Sequence, residues 1–155
     1  YMLMLQTWKL DIGAARPDPL EMTDFNLLTI NGRAWPGTEP LVVRQGDRVR
    51  VRMGNMSAMD HHPMHLHGHH WTMTATDGGT VPPSARWPET TILVPVGSTR
   101  TAEFVADHLG DWPVHCHMTH HTMNQMGHEA LSLTGVRLDA DVEAKLQRLL
   151  PGYMT

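Results

Sequence analysis

Ten consecutive residues, His61-His62-Pro63-Met64-His65-Leu66-His67-Gly68-His69-His70, hold six of the chain's 12 histidines. A second run, His115-Cys116-His117-Met118-Thr119-His120-His121, holds four more and the single cysteine. Neutral imidazole is the commonest protein ligand for transition metals, and thiolate is the soft partner that selects copper or zinc. A lone cysteine forms no internal disulfide, and between two histidines Cys116 reads as a ligand rather than an inert thiol. Two ligand-dense runs far apart in sequence suit one metal region closed from two strands.

Strand geometry then sorts the donors. Successive side chains alternate faces, so Cys116 points one way while His115 and His117 point the other. The same parity puts His65, His67 and His69 on one face of the first run and His62 on the opposite one, with Pro63 able to disturb the local geometry. If the two strands are neighbours, Cys116 and His62 converge on one side. His65, His67, His115 and His117 line the other. His121 and Met126 follow at intervals of five residues, far enough for a loop to return each to the Cys116 side. Two histidines, a thiolate and a long axial methionine make the trigonal site of blue copper, and a thioether adds little to a zinc site. The histidine face has the look of half of an oxygen-activating copper cluster.

The elements that must hold these donors are short strands. Leu3, Leu5 and Leu10 open a first strand, and Leu27 to Ile30 runs into the turn Asn31-Gly32. Val49, Val51 and Met53 alternate with Arg48, Arg50 and Arg52, a half-buried strand whose arginines form a solvated face. Further strands are expected near Leu66–Thr76, Thr91–Val94, Thr99–Val105, Trp112–His117 and Leu131–Arg137, with a helical turn at His120–Gln125. Val142, Leu146, Leu149 and Leu150 recur at helical spacing before Pro151, which predicts a short C-terminal helix. About eight strands with turn punctuation predict an all-β, Greek-key β-sandwich.

Composition bounds the alternatives. A length of 155 residues suits a single domain, 1–155. With 16 acidic against 12 basic residues there is no basic patch for nucleic acid, and no apolar run approaches the roughly 20 residues of a membrane span. Residue 1 is Tyr, so the chain reads as a processed or excised piece.

His62-Pro63-Met64-His65-Leu66-His67-Gly68-His69 resembles the H-P-x-H-L-H-G-H signature of multicopper oxidases, the family of laccases and related metal oxidases. His115-Cys116-His117 with His121 and Met126 resembles the same family's H-C-H-x3-H-x4-M signature, and Gly110-Asp111-Trp112 fits the flanking pattern. The likeness runs from about Thr29 to Met126 and corresponds to the family's C-terminal, cupredoxin-like domain. It implies a type 1 copper on His62, Cys116 and His121 with Met126 axial, a type 2 copper on His65, and two type 3 coppers on His67, His115 and His117. It also implies that single electrons from a small phenolic or metal-ion reductant pass through Cys116 to His115 and His117, and that the completed trinuclear cluster reduces O2 to water. In the family the other four cluster histidines come as two H-x-H pairs from an N-terminal cupredoxin domain. Beyond the H-x-H spacings inside its two signatures this chain has no additional pairs, so the other four histidines are expected from that domain or from a neighbouring subunit. Many relatives carry a carboxylate after the second type 1 histidine, where this chain has Thr122. The resemblance places the protein in the periplasm or outside the cell.

Three other readings compete. A stand-alone blue-copper carrier leaves four histidines unexplained, a copper nitrite reductase needs only one isolated type 2 ion, and a zinc hydrolase has no use for Met126. The remaining positions take plainer roles. His69 is expected to be structural, His61, His70 and His120 to lie at the surface, and His108 and His128 to be ordinary residues. Met56, Met59, Met64, Met118 and Met123 read as packing residues. Trp71, Trp87 and Trp112 read as core aromatics, and Asp111 and Glu89 as candidate partners for a ligating imidazole.

Overall fold

The computed structural model describes residues 1–11 and 13–122. Alternating apolar residues produce the first two long strands. β1 (Met2–Trp8) buries Leu3, Leu5 and Thr7, and β3 (Arg48–Asn55) buries Val49, Val51 and Met53. Between them β2 (Leu27–Ile30) returns antiparallel to β1, ending at Asn31 and Gly32, both at positive φ. The chain continues through β4 (His62–Leu66), β5 (Trp71–Thr76), β6 (Gly79–Thr80), a 3-10 turn at Pro83–Ala85, β7 (Pro88–Glu89), β8 (Thr91–Val94), β9 (Thr99–Val105) and β10 (Val114–Cys116) to a short helix, α1 (Thr119–Thr122).

These strands form two sheets. The larger runs β2-β1-β3-β9-β5-β6, with β7 also on β5, and the smaller runs β10-β4-β8. β1 and β3 pair in parallel, which needs a crossover, while the other pairs are antiparallel. Leu5, Val51, Met53, Trp71 and Met73 from the large sheet share one core with Met64, Leu66, Ile92 and Val94 from the small one. Burying such a side chain contributes about 1.5–3 kcal/mol before entropy is counted. The layers therefore form the expected β-sandwich.

Several boundaries differ from the sequence expectation. The strand expected over Leu66–Thr76 is two strands in different sheets: β4 ends at Leu66 and β5 begins at Trp71. The break falls at Gly68, with φ +71°, where a Cβ would stand 2.4 Å from the Trp112 ring. A left-handed residue in close contact with an aromatic ring ends the pleat, so strand parity stops there. The strand expected at Trp112–His117 is shorter, because only Val114 to Cys116 pairs with β4. Trp71 is a core aromatic, whereas Trp87 and Trp112 are 39% and 43% exposed. The expected strand Leu131–Arg137, the C-terminal helix, Met126 and His128 lie outside the described residues.

The arginine face is exposed as expected, and two of its members also pair with a neighbouring strand. Arg48 Nε and Arg50 Nε each donate to the Glu103 carboxylate at 2.7 Å, and Glu103 is 5% exposed. Burial alone raises the Glu103 pKa, but the hydrogen bonds and charges of Arg50 and Arg48 outweigh it and hold the carboxyl below its ordinary value.

Candidate metal centre

The site is built by one strand pair. β10 lies antiparallel to β4 with His115 opposite His65 and Cys116 opposite Met64. His62, Met64 and Leu66 are buried along β4, while Pro63 and His65 between them are partly open. The His117 amide donates to the Pro63 carbonyl at 2.6 Å, and the His67 amide to the Pro113 carbonyl at 3.0 Å, extending the pairing past both strand ends. The expected division by parity follows from this register: Cys116 shares the buried side with His62, and His115 shares the open side with His65.

On the buried side, α1 turns the chain back after β10 so that His121 returns to Cys116. The His121 amide donates to the Met118 carbonyl at 3.0 Å, and Thr122 Oγ1 to the Cys116 carbonyl at 2.8 Å. Cys116 Sγ and His121 Nδ1 are 3.2 Å apart, and the His62 and His121 ring centroids 4.9 Å. One donor atom from each of His62, Cys116 and His121 lies within 4.8 Å of the other two. Desolvation lowers the pKa of His62 to about 4 and that of His121 to about 3, helped by neighbouring histidines, so both imidazoles are neutral near pH 7. Burial pushes the Cys116 thiol up to about 11, with the Asp60 charge adding to it against a lowering hydrogen bond from the Met118 backbone. A metal entering this set must therefore displace the thiol proton.

Two residues that sequence reasoning missed orient His62. Ser57 Oγ is 2.7 Å from His62 Nε2, which leaves Nδ1 for an ion. Asn55, 3% exposed, holds that segment by accepting from the Ser57 amide at 2.9 Å and donating to the Asp60 and Val94 carbonyls at 2.7 and 3.0 Å. Neither carries a spacing signal, because their role depends on the fold bringing them to His62.

On the open side, His65, His67, His115 and His117 form a cluster with the His65 ring at its centre. Its centroid lies 4.6, 5.6 and 5.1 Å from those of His67, His115 and His117 respectively. Thr91 Oγ1, from the β8 residue facing His65, is 2.7 Å from His65 Nδ1 and leaves Nε2 toward the cluster. Thr91 was also not anticipated. His115 Nδ1 lies 2.9 Å from the Cys116 carbonyl, which only accepts, so the proton sits on Nδ1 and Nε2 keeps its lone pair. That Nε2 is 3.0 Å from His67 Nε2. Desolvation, then the charges of His67, His115 and His117, lowers the His65 pKa. Buried neutral imidazoles and a thiol on one side, and convergent imidazole lone pairs on the other, are a donor chemistry that fits copper.

The other expected residues fall as follows. His69 is not on the histidine face: the turn at Gly68 sends it into a buried position, 7% exposed, beside Asp107 and His108. His108, expected to be ordinary, belongs to that same group. His61 accepts a hydrogen bond from the Val96 amide at 3.0 Å, and His70 and His120 are exposed. Glu89 accepts from Trp87 Nε1 at 2.7 Å instead of serving an imidazole. Met64 is a core residue at 1% exposure, whereas Met56 and Met59 are exposed at the surface.

A family model described as multicopper oxidase matches residues 11–135. The multicopper oxidase MmcO of Mycobacterium tuberculosis is 42% identical over 98 residues, covering 63% of this chain and 18% of that protein. Copper resistance protein A of Pseudomonas syringae pv. tomato is 36% identical over 93 residues, covering 60% and 14%. The chain thus spans less than a fifth of the length of either relative. Among solved structures, the blue copper oxidase of Nitrosomonas europaea aligns with a TM-score of 0.66 and 28% identity, over 79% of this chain and 38% of that one.

Proposed function

Because the chain belongs to the multicopper oxidase family, whose cofactor is copper, we propose that it carries one whole copper site and half of a second. In this reading His62, Cys116 and His121 are the equatorial ligands of a type 1 copper, with Met126 as the axial ligand. His65 serves a type 2 copper, and His67, His115 and His117 serve a type 3 pair. When bound, copper supplies one-electron exchange on the buried side and, in a completed cluster, reduction of O2 to water.

The observation that carries the proposal is the opposed pair of donor sets on β10 and β4. Three donors lie within 4.8 Å of one another on the buried side, and four imidazoles gather on the other. The residues of the chain do the positioning. Ser57 and Thr91 each occupy one ring nitrogen and so fix which nitrogen faces an ion. The covalent chain from His115 through Cys116 to His117 links the Cys116 sulfur to both imidazole rings, a through-bond connection for single electrons between the two sides. Four imidazoles are too few for three coppers that each want two or three, so a second cupredoxin domain or a neighbouring subunit supplies two further H-x-H pairs. The reductant is a small phenol or metal ion reaching the buried set, and the protein works in an oxidising space outside the cytoplasm. A stand-alone electron carrier would give the four-imidazole face no role, and a nitrite reductase would need only one ion there.

Copper titration tests the reading. Cu²⁺ is expected to produce an intense visible thiolate-to-copper band. A colourless copper-loaded protein overturns the buried assignment. The chain by itself is expected to consume essentially no O2 with a phenolic or metal-ion reductant, and robust turnover overturns the half-cluster assignment.

A further inference from the structure

Beyond both copper-binding sides, the break at Gly68 delivers a third histidine to a place of its own. His69 has only 4% of its side chain exposed, and neither ring nitrogen has a hydrogen-bond partner among the described residues. A buried imidazole without partners forfeits the hydrogen bonds it would make to water. The ring borders a cavity of about 430 Å³ that is also lined by His108, Asp111, Trp112 and Glu39. Asp107 Oδ1 is 3.6 Å from His69 Nε2 and 2.9 Å from His108 Nδ1, and the two imidazole centroids are 5.5 Å apart. One donor atom from each of His69, Asp107 and His108 lies within 4.8 Å of the other two.

We infer that His69, Asp107 and His108 form a separate binding site for a divalent transition-metal ion such as Zn²⁺ or Cu²⁺. Two imidazoles and one carboxylate suit these ions, whereas Mg²⁺ and Ca²⁺ want oxygen ligands throughout. Three protein ligands leave a fourth position for water. The buried ring supplies the fixed donor. Asp107 and His108, with side chains 64% exposed, have the freedom to close onto an ion at bonding distance. Trp112 Nε1 donates to the His108 carbonyl at 3.2 Å, and a Cβ at Gly68 would overlap the Trp112 ring. An ion in this site therefore ties the segment that feeds β10 to the crossover between β4 and β5.

The test counts the Zn²⁺ bound by the metal-free full chain, comparing the parent with an Asp107→Asn/His108→Ala double variant, with the visible band recorded on separate Cu²⁺-loaded samples. Both substitutions are at exposed side chains, so the metal-free melting temperature and the visible band serve as controls that the fold and the Cys116 site are unchanged. The expected result is that the double variant binds about one equivalent of Zn²⁺ less than the parent. The ring nitrogen resonances of His69 are expected to shift with Zn²⁺ in the parent only. Equal stoichiometry in the two proteins overturns the proposal, as does a His69 ring that does not respond to Zn²⁺ in the parent.

Discussion

The two faces of one strand pair differ in how far the chain finishes them. The Cys116 face is closed: His62 and His121 are 4% and 6% exposed, and Ser57 and Asn55 brace His62 from behind. The His65 face is open. His67 and His117 are exposed, and His65 is braced by a single threonine. A closed set is organised before metal arrives. An open set of imidazoles is organised on one side only, which is the arrangement that the proposed second cupredoxin domain or neighbouring subunit would complete. The lesson is that alternation along β10 divides the donors into two sets, and burial sets the two apart.

The sharpest way to break this comparison is Cys116→Ser, expected to abolish the visible band of the copper-loaded chain completely while the metal-free melting temperature stays within about 1–2 °C. A band that survives would show that the closed face does not hold copper through its thiol. Next is Gly68→Ala. A positive φ and a Cβ forced onto Trp112 should together cost roughly 2–4 kcal/mol in denaturant unfolding, because the turn that ends β4 and diverts His69 requires glycine. Wild-type stability for this variant would mean that the turn is not a constraint on the site.

Ser57→Ala should weaken copper binding at the closed face about 10–100-fold, read by competition with a chelator, since it removes the group that orients His62. An unchanged affinity would mean that burial alone organises that face. Acid response sharpens the comparison by locating a source of pH dependence outside both faces. The Glu103 carboxyl is held below its ordinary value by Arg50 and Arg48, so its contribution is present above the unfolded-state pKa and is lost as pH falls through the folded one. The melting temperature should therefore drop more steeply in that acidic window for the parent than for Glu103→Gln. The smallest effect is expected at the open face. His67→Ala and His117→Ala should each change stability by no more than about 0.5 kcal/mol, as exposed side chains do, and leave the visible band in place. Loss of the band in either variant would show that the two faces are not separable.

Much of this was legible beforehand. Cys116, His115 and His117 had to alternate on any extended strand, and the antiparallel pairing of β10 with β4 carries the same alternation to His62 and His65. The apolar alternation of β3 and the turn at Asn31-Gly32 were equally readable, because both depend on local geometry. His69 was not. Its parity assignment assumed a continuous strand, and only the contact between Gly68 and Trp112, residues far apart in sequence, interrupts it. The arginines of β3 are exposed as expected, but the pairing of Arg48 and Arg50 with the buried Glu103 was not legible, since Glu103 sits on a neighbouring strand.

The sequence by itself determined the donors, their spacing and the parity that divides them, because all three follow from covalent order and the two-residue period of a strand. The tertiary structure decided which donors meet, which ring nitrogen each presents, which face is sealed, and where His69 goes. Those outcomes depend on contacts among β4, β8, β10 and the Trp112 loop, whose residues are brought together only when the two sheets close over a common core.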